Sequence, residues 1–139
     1  MITNEYKCQS CTYEELVKVR DFVKQQSLSL GAEDTTAENI ALAVDEAVTN
    51  LIEHGFKANN NCFFIEINKD NSTIIIEIRD DGITFDPKKT EIPDMEKYFK
   101  ELKKGGLGIY IIKSLMDSIE YEPSNNNQKY NLLRLKKSI

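Results

Sequence analysis

Asp45-Glu46-Ala47-Val48-Thr49-Asn50, continued by Glu53-His54-Gly55, is the stretch from which the rest of this chain can be read. It lies inside an apolar pattern of helical period, and on a helix positions i and i+4 share a face. The Glu46 carboxylate and the Asn50 carboxamide therefore converge on one small volume. An Asn oxygen suits a hard cation such as magnesium, and a Glu can hold a water or hydroxyl for attack on phosphorus. Alone the pair means little, because polar residues on a helix flank are mostly solvated surface. Asp45 and Glu53 fit that plain description, and His54, at the helix C-terminus beside Gly55, suits capping or packing there.

Two further stretches give the pair a context. Ile76-Glu77-Ile78-Arg79 reads as a strand running into Asp80-Asp81-Gly82-Ile83-Thr84-Phe85-Asp86-Pro87. Gly82 lets the chain turn closely around whatever Asp80 holds, and a carboxylate at a strand end can accept from an exocyclic amine such as N6 of adenine. Gly105-Gly106-Leu107-Gly108-Ile109-Tyr110 opens a helix just after Lys103 and Lys104. Helix N-termini offer unpaired N–H groups and partial positive charge, and glycines let phosphates approach them. An Asp-Asp-Gly turn is ordinary by itself, as is a lone glycine loop. The glycine stretch lacks the Gly-x-x-x-x-Gly-Lys-[Ser/Thr] pattern and a βαβ context, which excludes P-loop and dinucleotide-binding folds. In this order the three stretches supply what a magnesium–nucleotide site needs, and ATP is the expected ligand.

Outward from these stretches the chain reads as mixed strands and helices without repeats. Glu5 to Cys11 predicts a short leading strand. From Tyr13 to about Ser29, Leu16, Val19, Val23 and Leu30 recur at helical spacing, with Thr12 as N-cap and Gly31 as stop. Thr35 or Thr36 caps a second helix whose buried stripe is Ile40, Val44, Ala47, Val48 and Leu51, running to Gly55. Ala43, Glu46 and Asn50 fall on a different flank, free to face a ligand. Phe63 to Asn68 and Thr73 to Arg79 form a hairpin across Lys69-Asp70-Asn71-Ser72. A polar, lysine-rich stretch follows Pro87, with a short helix expected at Asp94 to Leu102; a loop that long in a small domain is usually functional. Leu107 to Met116 reads as a helix, and Ser118 to Glu122 with Lys129 to Leu135 as a closing hairpin. The expected fold class is α+β, a two-layer sandwich with helices on one face of a mixed, mostly antiparallel sheet.

Composition bounds the function. With 139 residues, 40% of them hydrophobic, the chain can bury one core and has no room for a second full domain. A net charge of −5 argues against a nucleic-acid partner, since phosphate-backbone binding draws on clustered Lys and Arg. No apolar run approaches the length of a membrane span, and the polar start lacks the apolar stretch of a secretion signal. No membrane association and a cytoplasmic location are the expectations. Cys8-Gln9-Ser10-Cys11 has the spacing of half a zinc site, but only Cys62 and His54 remain to complete one. Free thiols are the simpler reading.

Order and spacing together closely resemble the N box and the two glycine boxes of the GHKL, or Bergerat-fold, ATPases. Within that superfamily the chain looks like the bacterial anti-sigma factor serine/threonine kinases. Thr84 stands where the family pattern has a second glycine. The resemblance implies that Glu46 is the general base and Asn50 the magnesium ligand. Asp80 would take the adenine amino group, and Gly82 would give room for the base. Lys104, Gly105, Gly106, Leu107 and Gly108 would form the phosphate-binding stretch, with Gly106 and Gly108 offering backbone. Residues 86–104 would be the ATP lid of a single domain over residues 1–139. The implied activity is phosphorylation of a Ser or Thr on an anti-sigma factor antagonist, the implied partners are a sigma factor and that antagonist, and the implied assembly is a homodimer. Two rivals are a non-catalytic, ATP-gated binding module and a stand-alone histidine kinase catalytic domain. The second would have to act on a separate chain, because the only histidine is His54.

Overall fold

The computed structural model describes residues 4–8, 12–55, 61–83 and 107–139. The expected lid with its helix at Asp94 to Leu102, the segment Thr84 to Pro87, Lys104, Gly105, Gly106, Cys11 and the side chains of His54 and Leu107 lie outside the described residues.

The elements in chain order are β1 (Glu5–Lys7), α1 (Glu15–Ser29), α2 (Asp34–Asn50), a wide π-helical turn Leu51–Gly55, β2 (Phe63–Asp70), β3 (Thr73–Asp80), α3 (Leu107–Leu115), β4 (Ser118–Glu122) and β5 (Asn131–Ser138). The strands form one sheet in the order β1-β2-β3-β5-β4. Every pairing among the described residues is antiparallel.

Side chains alternate across a pleated sheet, and the register turns that alternation into two faces. Tyr6, Ile65, Ile78, Leu133 and Tyr121 lie opposite one another across all five strands. The next inward row is Ile67, Ile76, Leu135 and Ile119. These rows meet Val19 and Val23 of α1, Ile40, Val44, Ala47 and Val48 of α2, and Ile109 and Ile112 of α3 in one continuous core. All three helices thus cover the same sheet face. Fully burying each Val, Ile or Leu among them contributes about 1.5–3 kcal/mol. The opposite face carries the intervening polar row Glu66, Glu77, Arg134 and Glu120, in which Arg134 pairs with Glu77 at 2.9 Å and with Glu120 at 2.8 Å.

Several local expectations are corrected. Thr12 does not cap α1: its carbonyl closes a lead-in turn with the Glu15 N–H at 3.1 Å, and Glu14 takes the cap position without a side-chain bond. α2 begins before Thr35 and Thr36, with extended Glu33 as its cap and Asp34 in its first turn, where a negative charge suits the helix dipole. Ala43 is fully buried in the core rather than on the ligand flank. The helix does not run regularly to Gly55, because it widens after Asn50. The β2–β3 turn tightens to Asn71 and Ser72, with Asn71 at φ 55, a conformation Asn tolerates better than most residues. β5 runs to Ser138, past the expected Leu135. α1 does stop at Ser29, and Gly31 follows at φ 105.

Candidate functional site

At one end of the helix–sheet interface a cavity with an empty volume of ≈ 320 Å³, partly open to solvent, separates α2 from the sheet. Ala47, Asn50 and Leu51 form its helical wall, Ile78, Tyr121 and Leu133 its apolar sheet wall, and Asp80 its polar floor. A mostly apolar slot with a few convergent polar groups is the usual form of a small-molecule site.

Asp80 ends β3 and is only 3% exposed. Its Oδ1 accepts the Gly82 N–H at 2.9 Å and the Asn131 Nδ2 at 3.0 Å. Burial pushes its carboxyl above the ordinary aspartate value; those two hydrogen bonds pull the other way, and neighbouring Asp81 adds to the upward shift. Gly82 lies at the turn that wraps the carboxylate.

α2 supplies the second half. A Cβ on Gly108 would come within 2.6 Å of Glu46 Oε2 and 3.8 Å of Asn50 Oδ1. The absence of a side chain at the start of α3 is therefore what lets the Glu46 carboxylate close over that helix end, with the Asn50 amide at ordinary contact distance beside it. Burial raises the Glu46 pKa, and Asp45 and Glu53 raise it further. Asn50 Nδ2 is buried with no hydrogen-bond partner among the described residues. An orphaned buried donor costs about 1–3 kcal/mol unless something satisfies it, so Nδ2 fits an acceptor such as a phosphate oxygen, while the carbonyl Oδ1 is the atom whose chemistry suits a hard cation.

The flanking acids have other attachments. Asp45 turns to Arg20 at 3.4 Å, and Glu53 accepts the Tyr13 hydroxyl at 3.1 Å. The structure thus brings Asn50 and Asp80 into the lining of one cavity, with Gly82 bonded to Asp80 and with Glu46 and Asn50 beside Gly108. Cys62 is a free thiol, and Asp81 Oδ1 accepts its N–H at 2.8 Å. Among the described residues no group of His, Cys, Asp and Glu is arranged to hold a metal ion, and no helix is long and apolar enough to cross a membrane.

The sequence reading missed Asn131 altogether. Nothing local marks it, since its importance comes from being the cross-strand partner of Asp80. Tyr121 and Leu133, on the far hairpin, escaped for the same reason.

Comparison with known proteins sets this geometry in a family. A family model described as histidine kinase-like ATPase domain matches residues 10–137. Serine-protein kinase RsbW from Staphylococcus aureus strains JH9 and Newman is 36% identical to this chain over 95 residues, covering 64% of the chain. The matched stretch spans only 60% of the length of those relatives. Among solved structures, the catalytic domain of histidine kinase ThkA aligns with TM-score 0.52 at 16% identity, over 99% of this chain and 97% of that one. The Acinetobacter baumannii histidine kinase AdeS aligns with TM-score 0.50 at 14% identity, over 99% of this chain and 68% of that one. At those identities the likeness is one of fold.

Proposed function

Because this chain belongs to the family of histidine kinase-like ATPase domains, we propose that it binds ATP in the α2–β3 cavity and phosphorylates a Ser or Thr on an anti-sigma factor antagonist. The observation that carries this reading is the convergence of Glu46 and Asn50 on Gly108, with Asn50 and Asp80 lining the same cavity.

The base would lie between the apolar walls, its exocyclic amine donating to Asp80, with the Gly82 turn leaving it room. Asn50 would hold magnesium, which when bound supplies charge neutralisation on the phosphates. Gly108, with Lys104, Gly105, Gly106 and Leu107 before it, would turn backbone N–H groups and a positive helix end toward the phosphates. Glu46 would accept the proton of the attacking hydroxyl. Its raised affinity for a proton fits that role, since a general base works best with a pKa nearer the operating pH. Little covalent help is needed beyond this, because phosphoryl transfer depends on positioning and charge stabilisation.

The likeness to a serine-protein kinase favours a hydroxyl acceptor, and the box pattern favours a partner-switching regulator that alternates between a sigma factor and its antagonist. In that role the protein is a cytoplasmic homodimer, with residues 86–104 as the lid of a single nucleotide-binding domain. The test is transfer from γ-labelled ATP to candidate antagonists encoded near the gene, using wild type and Glu46→Gln. Glu46→Gln keeps shape and the Asn50 ligand but removes the base, so transfer should fall about 10²–10⁴-fold while ADP binding by calorimetry is retained. Transfer at the wild-type rate would make Glu46 a bystander, and no transfer by the wild type to any antagonist would favour an ATP-gated binding module.

A further inference from the structure

The Asp80 carboxylate is held from two directions. Gly82 donates to Oδ1 from the turn that follows, and Asn131 donates to the same oxygen from β5. Asn131 is fully buried and its amide is fixed at both ends. Oδ1 accepts the Ser124 N–H at 2.8 Å, while Nδ2 donates to the Gly82 carbonyl at 3.1 Å as well as to Asp80. Flipping this amide would set donor against donor and acceptor against acceptor. The orientation is therefore built in, and it decides which Asp80 oxygen is occupied by the protein. Both bonds fall on Oδ1, so among the described residues Oδ2 is the oxygen left for the cavity that Asp80 lines.

We propose that Asn131 is a positioning residue that sets the selectivity of this site for 6-aminopurine over 6-oxopurine nucleotides, by holding Asp80 so that it presents only an acceptor to the base. The inference rests on Asp80 reading the base, as proposed above. An amino group at C6 donates and an oxo group accepts, so a fixed, ionised carboxylate matches the first and repels the second. Sites that hydrogen-bond one group reject analogues lacking it far better than apolar walls can. Burial by itself would favour a protonated carboxyl able to turn its hydroxyl toward a 6-oxo group, and the donors from Asn131 and Gly82 oppose that protonation. Asp81, the charged neighbour that favours it, directs its own carboxylate to the Cys62 N–H and to Asn61.

ADP and IDP, which differ at this position of the base, are the probes, and calorimetric affinities on folded variants are the readout. Asn131→Asp keeps the acceptor for Ser124 but places a second carboxyl against Asp80, where adjacent carboxyls come to share a proton. The ADP-over-IDP preference should fall at least about tenfold. In Asp80→Asn the two donors should capture the new carbonyl and turn its NH₂ to the base, so that IDP binds better than ADP. Combining the two should reverse this. An acceptor at position 131 draws the NH₂ of the amide at position 80 against the remaining Gly82 donor, its carbonyl faces the base, and ADP binding recovers by about tenfold over Asp80→Asn alone, where simple additivity gives no recovery. An Asn131 that only packs the core predicts no such rescue. An unchanged ADP-to-IDP ratio in Asn131→Asp, or a double variant no better for ADP than Asp80→Asn, would overturn the proposal. Should Asn131→Asp not fold, Asp80→Asn decides alone: gain of IDP binding supports the oriented amide, and loss of ADP without that gain overturns it. An Asp80→Asn protein with the wild-type ADP-to-IDP ratio would instead remove the base-reading role of Asp80, and this inference with it.

Discussion

Gly108 shows how one missing methyl group can hold a site together. A Cβ there would meet Glu46 Oε2 at 2.6 Å, and that atom is the far end of a flexible side chain. The chain could relieve the contact by swinging the carboxylate aside, which would displace the proposed base without disturbing the core. Gly inside a helix is also less stable than Ala by roughly 0.5–1 kcal/mol. Gly108→Ala should therefore leave thermal stability unchanged or raised by up to about 1 kcal/mol, while phosphotransfer falls at least about tenfold through mispositioning. A melting curve beside a transfer assay separates the two effects. A variant that is more stable and fully active would show that Glu46 need not close over α3.

At the scale of elements, the C-terminal end of β5 is tied by one carboxylate to the turn between α3 and β4. Asp117 Oδ2 accepts the Ser138 N–H at 2.7 Å, with Lys137 at 3.8 Å from its other oxygen. The Ser138 N–H, with help from Lys137, holds the Asp117 carboxyl below its ordinary value of 3.8. A depressed carboxyl contributes stability that is present above its unfolded pKa and lost as pH falls through the folded one. Asp117→Asn should thus melt below wild type at neutral pH, and the two melting temperatures should converge in acid below the depressed pKa. Parallel curves at every pH would assign the difference to something other than the charge. The legibility of the elements divides along the same line between local and distant causes. The β2–β3 hairpin and the stripes Val19, Val23 and Ile40, Val44, Val48 could be read from period alone, because each side chain's fate is set by its neighbours on the same element. Helix starts could not: Thr12, Thr35 and Thr36 have the right chemistry for caps, but the helices begin at Glu15 and Asp34, and Glu14 and Glu33 take the cap positions without a side-chain bond. Glu46, Asn50 and Asp80 could be singled out as candidates from their own stretches, whereas Asn131 comes to lie beside Asp80 only when β5 pairs with β3.

For the whole molecule, a two-layer fold of this kind does not choose the acceptor of the phosphate, because function resides in the site and in what docks beside it. Histidine kinase catalytic domains share the architecture at low identity, while the relatives matched at 36% identity are serine-protein kinases. The two chemistries leave different products. A phosphoryl group on a Ser or Thr hydroxyl is an ester, which withstands mild acid and is lost in strong alkali from serine by elimination. A phosphoryl group on imidazole is a phosphoramidate, in which protonation of the ring makes nitrogen a good leaving group, so acid removes it quickly. Glu46 fits the first case, since a hydroxyl must lose its proton during attack, whereas a neutral imidazole nitrogen already carries a free lone pair. Label transferred from γ-labelled ATP to a paired antagonist should therefore survive mild acid treatment and disappear with Glu46→Gln. Acid-labile label would return the chain to the stand-alone histidine kinase reading, with Glu46 left to orient rather than deprotonate the attacking group.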